Sequence, residues 1–290
     1  MPGDPARTPL VSVVTVVRDA AGEIDGTLDS VLAQSYPALE YVVVDGGSTD
    51  GTLEKVRSRE DRIARWISES DSGIAEAMNK GARLATGDLL VFLNAGDAFV
   101  DDDALARAVE SIPAGTDLRR TVFYGDAHYA HASGTEILHA DHEALAERSS
   151  LCHQSVLVGR EVQSENAYDE RLSVFMDYDL WLRCLGRYTF VKLPVVLSRF
   201  SSGGISGSDD WAVRIEVERA VVQLLNKQMA PEAAAIAKVL ASISSVTAKR
   251  AVRAVIGPKA FVRMKRLLGR DTPSGWARPP AESRPSTKRD

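Results

Sequence analysis

Three short polar clusters each follow an apolar, largely β-branched run: Arg18-Asp19 after 10–17, Asp45-Gly46-Gly47-Ser48-Thr49-Asp50-Gly51-Thr52 after 41–44, and Asn94-Ala95-Gly96-Asp97 after 89–93. A carboxylate at the end of a buried strand can accept hydrogen bonds from a ligand or hold a hard divalent cation that also touches phosphate oxygens. Asp45 suits a base or ribose, with a ligand-free turn as the alternative. Asp97 suits the cation, with an Asx turn as the alternative. Asp50 is placed to cap the next helix. The 45–52 segment has neither GxGxxG spacing nor a Walker lysine, which disfavours hydride transfer on a dinucleotide and phosphate cradling by a P-loop.

Further along, His153-Gln154 precedes the apolar run 155–158, and Asp177 and Asp179 flank Tyr178 ahead of Leu180-Trp181-Leu182. A lone histidine is more often a structural hydrogen-bonder than a ligand. A carboxylate in the first turn of a helix is favoured as an anion and can accept a proton. Asp177 as a mere helix cap, with Asp179 the functional residue, is the competing reading. Residues 201–206, Ser-Ser-Gly-Gly-Ile-Ser, are glycine-rich enough for a lid containing Gly203 and Gly204, or for a plain linker.

These residues need a scaffold, and the spacing supplies one. The run 10–17 predicts a strand buried on both faces, and Ile24, Leu28, Val31 and Leu32 recur at helical spacing. Strands at 41–44, 64–67 and 89–93 alternate with a helix at 52–59 and another whose face carries Ile74, Ala77, Met78, Gly81, Leu84 and Ala85. That βαβαβαβ order demands a mostly parallel sheet with helices on both sides, and ligands then bind beyond its C-terminal strand ends. A mixed α+β half follows, with a helix at 101–112, a strand at 121–129 and a helix at 178–185. Residues 209–270 read as helical, and 271–290, rich in Pro, Ser, Arg and Lys, as disordered.

Five segments, VSVVTVVRD, SVLAQSYPALEYVVVDGGSTDGT, SESDSGIAEAMNKGARLATGDLLVFLNAGD, HQSV and DYDLWLR, carry a resemblance. In order and approximate spacing the chain resembles the family 2 glycosyltransferases, inverting enzymes of the GT-A fold, and in particular their bacterial polysaccharide and glycolipid branch. The match spans about residues 10–205. It implies an α/β fold with a Rossmann-like, mostly parallel sheet: 10–100 the nucleotide-sugar half, 101–208 the acceptor and catalytic half, and 1–9 an N-terminal tail. It implies donor contacts at Thr15, Val17, Arg18, Asp45, Ser48, Asn79, Lys80, Asn94 and Ala95, and Mg²⁺ or Mn²⁺ at Asp97. Asp177 is the implied general base, and His153, Gln154, Asp179, Gly203 and Gly204 fall in the implied acceptor or lid region. Asn94 and Gly96 stand where the family often has aspartates, and Met176 where it has Glu, so the metal loop offers one obvious carboxylate. The implied donor is a nucleoside-diphosphate sugar, UDP- or GDP-linked, and the acceptor a lipid-linked, glycolipid or polysaccharide hydroxyl. A nucleotide-sugar-binding subunit without catalysis and a nucleotidyltransferase of similar fold are the alternatives. The latter needs a basic, glycine-rich signature by the first strand, which Arg18 alone does not supply.

Composition bounds these readings. The 290 residues are 44% hydrophobic, enough for a well-buried core, and no run approaches the roughly 18 to 20 apolar residues of a spanning helix. Cys152 and Cys184 stand apart without metal-ligand spacing, which fits a reducing cytoplasm. The net charge of −5 hides a split: beyond Glu232, thirteen Lys or Arg face three acidic residues, a net of +10 that leaves −15 for 1–232. Residues 233–270 hold nine basic residues and no acidic one, with Ile236, Val239, Leu240 and Ile243 at helical spacing. That pattern suits an anionic lipid surface at the inner face of the plasma membrane, with a solvated helix pair as the alternative. Nucleic acid is disfavoured because aromatic residues for base stacking are nearly absent there.

Overall fold

The computed structural model describes residues 8–131, 133–201, 215, 218, 219, 221–223 and 226. Its first half runs β1 (Val11–Val17), α1 (Ile24–Leu32), β2 (Leu39–Asp45), α2 (Thr52–Arg57), β3 (Arg65–Ser68), α3 (Ile74–Leu84) and β4 (Leu89–Phe92). All four strands are parallel, in the order β3-β2-β1-β4. Every residue of β1 is buried, as an unbroken β-branched run in a strand covered on both faces requires. Val14, Val16, Val42 and Val44 pack on one side against Ala77 and Met78 of α3. Val11, Val13, Val17 and Val43 pack on the other against Ile24, Leu28 and Val31 of α1. Gly81 lets α3 lie close to the sheet: a Cβ there would stand 2.3 Å from Val14 Cγ1.

The second half contains β5 (Ala98–Phe99), α4 (Ala104–Glu110), β6 (Thr121–His131), β7 (Gly134–Leu138), β8 (Val156–Gly159), α5 (Arg160–Glu165), α6 (Met176–Cys184) and β9 (Thr189–Ser201). The sheet continues β4-β8-β6-β9-β5, with β7 paired to β6. β8 joins β4 antiparallel, and β9 returns parallel to β6. The fold is therefore the expected α/β architecture: a parallel half, then a mixed one. The expected helix at 101–112 is shorter because Asp101 accepts from the Asp103 N–H in a turn. β9 was not legible from pattern, since Pro194 interrupts its apolar residues. Its register with β6 breaks there, between Tyr124↔Lys192 and Asp126↔Val196. Gly125 makes room for this bulge, because a Cβ would meet the Val195 carbonyl oxygen at 2.7 Å.

The predicted C-terminal helices and tail fall outside the described residues, apart from a few positions. Among those, Val221 and Val222 join the core on the α3 side, and Glu218 is fully buried. This part of the 209–270 region thus belongs to the packed domain. Among the described residues no helix is long and apolar enough to cross a membrane.

Candidate active site

The C-terminal ends of β1 and β4 open on a cleft of about 840 Å³. Val17, Arg18 and Asp19 enter it from the β1 end, Asn94, Ala95 and Asp97 from the loop after β4, and Asp71 and Gly73 from the approach to α3. The opposite wall comes from the second half: His153 and Gln154 ahead of β8, Asp177 in the first turn of α6, and Phe200 near the end of β9.

Under the β1 end, two loops are laced together. The Asp19 N–H donates to Ser48 Oγ at 2.8 Å, the Ala21 N–H to Asp50 at 2.9 Å, and the Thr49 N–H to Asp19 at 2.9 Å. Asp19 is held at φ +48°, an uncommon conformation for a non-glycine residue, and this lacing is what holds it. Asp50 accepts from the Thr52 N–H, but it stands one residue short of the expected cap position, which Gly51 occupies at φ +97°. Asp45 is fully buried, and its carboxylate accepts from the Ser48 N–H, Ser48 Oγ and Ser68 Oγ. Asp45 and Ser48 therefore brace the loop beside the cleft without lining it. Thr15 is likewise internal, bonded to Tyr41 Oη at 2.9 Å.

Asn79 and Lys80, expected to face a donor, are also committed elsewhere. The Asn79 side chain donates to the Tyr168 carbonyl at 3.0 Å and accepts from the Tyr168 N–H at 2.8 Å, pinning α3 to the segment before α6. Lys80 pairs with Glu69 and Glu76. Asp71 reaches the cleft instead, with its side chain only 6% exposed and 4.0 Å from Arg18. The sequence signal for it was the Asp-Ser-Gly turn ahead of α3, where Asp71 accepts from the Gly73 N–H.

The loop after β4 is a tight turn around Gly96, at φ +95°. The Asp97 N–H donates to the Asn94 carbonyl, and the Asn94 N–H returns a bond to Asp97 Oδ2 at 3.1 Å. Burial pushes the Asp97 carboxyl up to about 6; the nearby His153, a Gln154 side-chain hydrogen bond and the Asn94 N–H act against that rise. Asn94 Nδ2 lies 3.1 Å from His153 Nε2, and His153 Nδ1 lies 3.2 Å from Asp177 Oδ2. Burial lowers the His153 pKa, but its hydrogen bond to Asp177 and the charges of Asp177 and Asp97 outweigh this and raise it overall. The site thus joins four sequence-predicted residues in one chain of contacts, with Gln154 attached.

Asp177 and Asp179 part company. Asp177 faces the cleft and accepts from the Tyr178 N–H at 2.7 Å. Asp179 points away, engaged by Arg183 at 2.8 Å and Asn226 at 3.0 Å. Just ahead of α6, the buried Glu218 carboxylate accepts from the backbone N–H groups of Ser173, Val174 and Phe175. No local signal in the sequence marked Glu218, because it acts 43 to 45 residues from its partners. Gly203 and Gly204 lie outside the described residues.

Among the described residues no group of three or more His, Cys, Asp or Glu is arranged to hold a metal. The oxygen donors still fit a hard cation: Asp97 supplies a carboxylate, and Asn94 Oδ1 is buried without a hydrogen-bond partner. Mg²⁺ is commonly held by one or two carboxylates, with waters and substrate phosphates completing its shell.

Residues 12–152 match the family described as Glycosyl transferase family 2. A PGL/p-HBAD biosynthesis glycosyltransferase of Mycobacterium bovis is 30% identical over 207 residues, which cover 69% of this chain and 80% of that protein. The validoxylamine A glucosyltransferase of Streptomyces hygroscopicus is 45% identical over 102 residues, 33% of this chain and 24% of the relative. In fold, the chain is similar to the mannosyltransferase PcManGT from Pyrobaculum calidifontis in complex with GDP-Man and Mn²⁺, with a TM-score of 0.59 and 20% identity over 91% of this chain and 77% of that one. It is also similar to S. aureus TarS in complex with UDP-GlcNAc, with a TM-score of 0.60 and 16% identity over 88% of this chain and 81% of that one.

Proposed function

The chain belongs to glycosyl transferase family 2 and is a glycosyltransferase, and from that premise we propose that it inverts the anomeric centre of a UDP- or GDP-linked sugar as it transfers the sugar to an acceptor hydroxyl. The observation that carries this reading is the placement of Asp177. It is the carboxylate of α6 that opens on the cleft, joined through His153 to the loop that holds Asp97, while Asp179 is bonded to Arg183 and Asn226.

In this mechanism the acceptor hydroxyl lies against Asp177. Its oxygen attacks the anomeric carbon opposite the diphosphate, the bond to the diphosphate oxygen breaks, and the hydroxyl proton passes to the Asp177 carboxylate. Val17, Arg18, Ala95 and Asp71 supply the donor wall. Asp97 and Asn94 Oδ1 would hold Mg²⁺ or Mn²⁺, which when bound offsets charge on the leaving diphosphate. The nucleotide sugars bound by PcManGT and TarS support the donor class.

The cleft wall around Asp177 carries Leu151, Val174, Phe175, Met176 and Phe200, interleaved with Ser149, Ser173, Ser201 and Arg219. This lining supports an acceptor whose hydroxyl is carried on an apolar body, lipid-linked or glycolipid, and the name of the mycobacterial relative points the same way. The enzyme would meet such an acceptor at the cytoplasmic face of the membrane, with the basic stretch 233–270 against anionic lipid.

The test is Asp177→Asn. Nucleotide-sugar binding, followed by thermal shift across a panel of UDP- and GDP-sugars, should stay within about twofold of wild type. Transfer should fall by about 10² to 10⁴. Full turnover by this variant overturns the assignment.

A further inference from the structure

We propose that His153 is a positioning residue that sets the proton-accepting oxygen of Asp177 and ties it to the donor loop at Asn94; the inference rests on the reading of Asp177 as the base. Both imidazole nitrogens are engaged, Nε2 with the Asn94 amide at 3.1 Å and Nδ1 with Asp177 Oδ2 at 3.2 Å. The Asp177 carboxylate can only accept, so Nδ1 carries a ring proton and donates it to Asp177. Neither nitrogen can then take the acceptor's proton without losing a partner.

Asp177 keeps capacity for the reaction. A carboxylate offers about four lone-pair sites, and here the Tyr178 N–H occupies one on Oδ1 and His153 one on Oδ2. The terminal torsion of an aspartate is broad when nothing fixes it. The bond from His153, together with that from the Tyr178 N–H, therefore sets which way the free lone pairs face.

His153 itself stands on rigid ground. It opens a 3₁₀ turn, His153–Ser155, that leads directly into β8. Ser155 anchors the turn by donating to the Asp126 carbonyl at 2.9 Å and bonding Ser198 Oγ at 2.6 Å, and so fastens it to β6 and β9. The next side chain, Gln154, is buried beside the Asp97 carboxyl and favours its anion. Two adjacent residues thus gauge the two carboxylates of the site, one each, from the edge of a strand.

Two amide variants separate the bonds. The amide of His153→Asn sits near the Nδ1 position and preserves the contact to Asp177, whereas that of His153→Gln reaches the Nε2 position and preserves the contact to Asn94. A misplaced reacting group costs on the order of 10² in rate. We expect His153→Gln to lower kcat by about that factor with the donor KM within about threefold of wild type. His153→Asn should recover about tenfold or more of the lost kcat. In an Asp177→Asn background, His153→Gln should cost nothing further, since it acts through the missing group.

Equal kcat losses in the two amide variants, unchanged kcat in His153→Gln, or a rise in donor KM alone would overturn the inference. Asp177→Asn separates the two levels. If that variant turns over normally, the base assignment falls and this inference falls with it. If it is inactive while His153→Gln is normal, only the role of His153 is refuted.

Discussion

Asp97 sits in a position that is costly without a ligand. Its folded pKa of about 6 stands above the ordinary 3.8 because burial penalises the anion. Between those values the folded state holds a proton that the unfolded state has released. The stability from the protonated form is therefore complete below about pH 4 and is lost as the pH rises through 6. The difference corresponds to about 3 kcal/mol. With metal chelated and no donor present, Asp97→Asn should raise stability by about 2 to 3 kcal/mol at pH 8 and leave it nearly unchanged near pH 4, as read by urea unfolding at both pH values. The same variant should lose the Mn²⁺-dependent part of donor stabilisation. At this scale the sequence put Asn94 and Asp97 after an apolar run, His153 ahead of one and Asp177 at a helix start, and the structure brings all four to one cleft. The side chains of Asn79, Lys80 and Thr15 hold partners that no local spacing shows, because side-chain direction within an element is settled by packing. The Asn79 amide meets Tyr168, 89 residues away.

At the scale of elements, α6 depends on a distant partner. The three N–H groups of Ser173, Val174 and Phe175 converge on Glu218 immediately before the turn that carries Asp177. A negative charge near a helix N-terminus is also favoured by the macrodipole. Charge-assisted bonds of this kind are worth about 1.5 to 3 kcal/mol each in mutational series. Glu218→Gln keeps the shape but loses the charge and part of the acceptor capacity. It should lower unfolding stability by about 1 to 3 kcal/mol and kcat by about tenfold, with donor KM near wild type, in parallel unfolding and transfer assays. The elements themselves were largely legible in the first half, where β1 and β2 are rich in β-branched residues, β4 is an apolar run, and α1 and α3 have periodic apolar faces. They were less so in the second, where β9 crosses Pro194 on a bulge that only pairing with β6 reveals.

At the scale of the whole molecule, charge is divided along the chain. Most of the acidic residues lie before residue 233, and nine of the basic ones lie between 233 and 270. Lysines and arginines near an anionic bilayer contribute about 1 kcal/mol each. The full chain should co-sediment with vesicles containing phosphatidylserine and far less with neutral ones, and deletion of 233–290 should abolish the difference. Equal recovery on both vesicle types would refute a membrane role for this region.

The sequence by itself determined the parallel half of the sheet, the loops that end its strands and the family, because β-branched runs, helical periodicity and motif order are local properties of the chain. Tertiary structure alone decided which carboxylate of α6 meets the cleft, that Asp45 is spent on Ser48 and Ser68, and that Glu218 holds the backbone ahead of Asp177. Those outcomes, the Glu218 contacts ahead of Asp177 among them, depend on which surfaces pack together, and burial and hydrogen-bond satisfaction are fixed only when residues far apart in the chain meet.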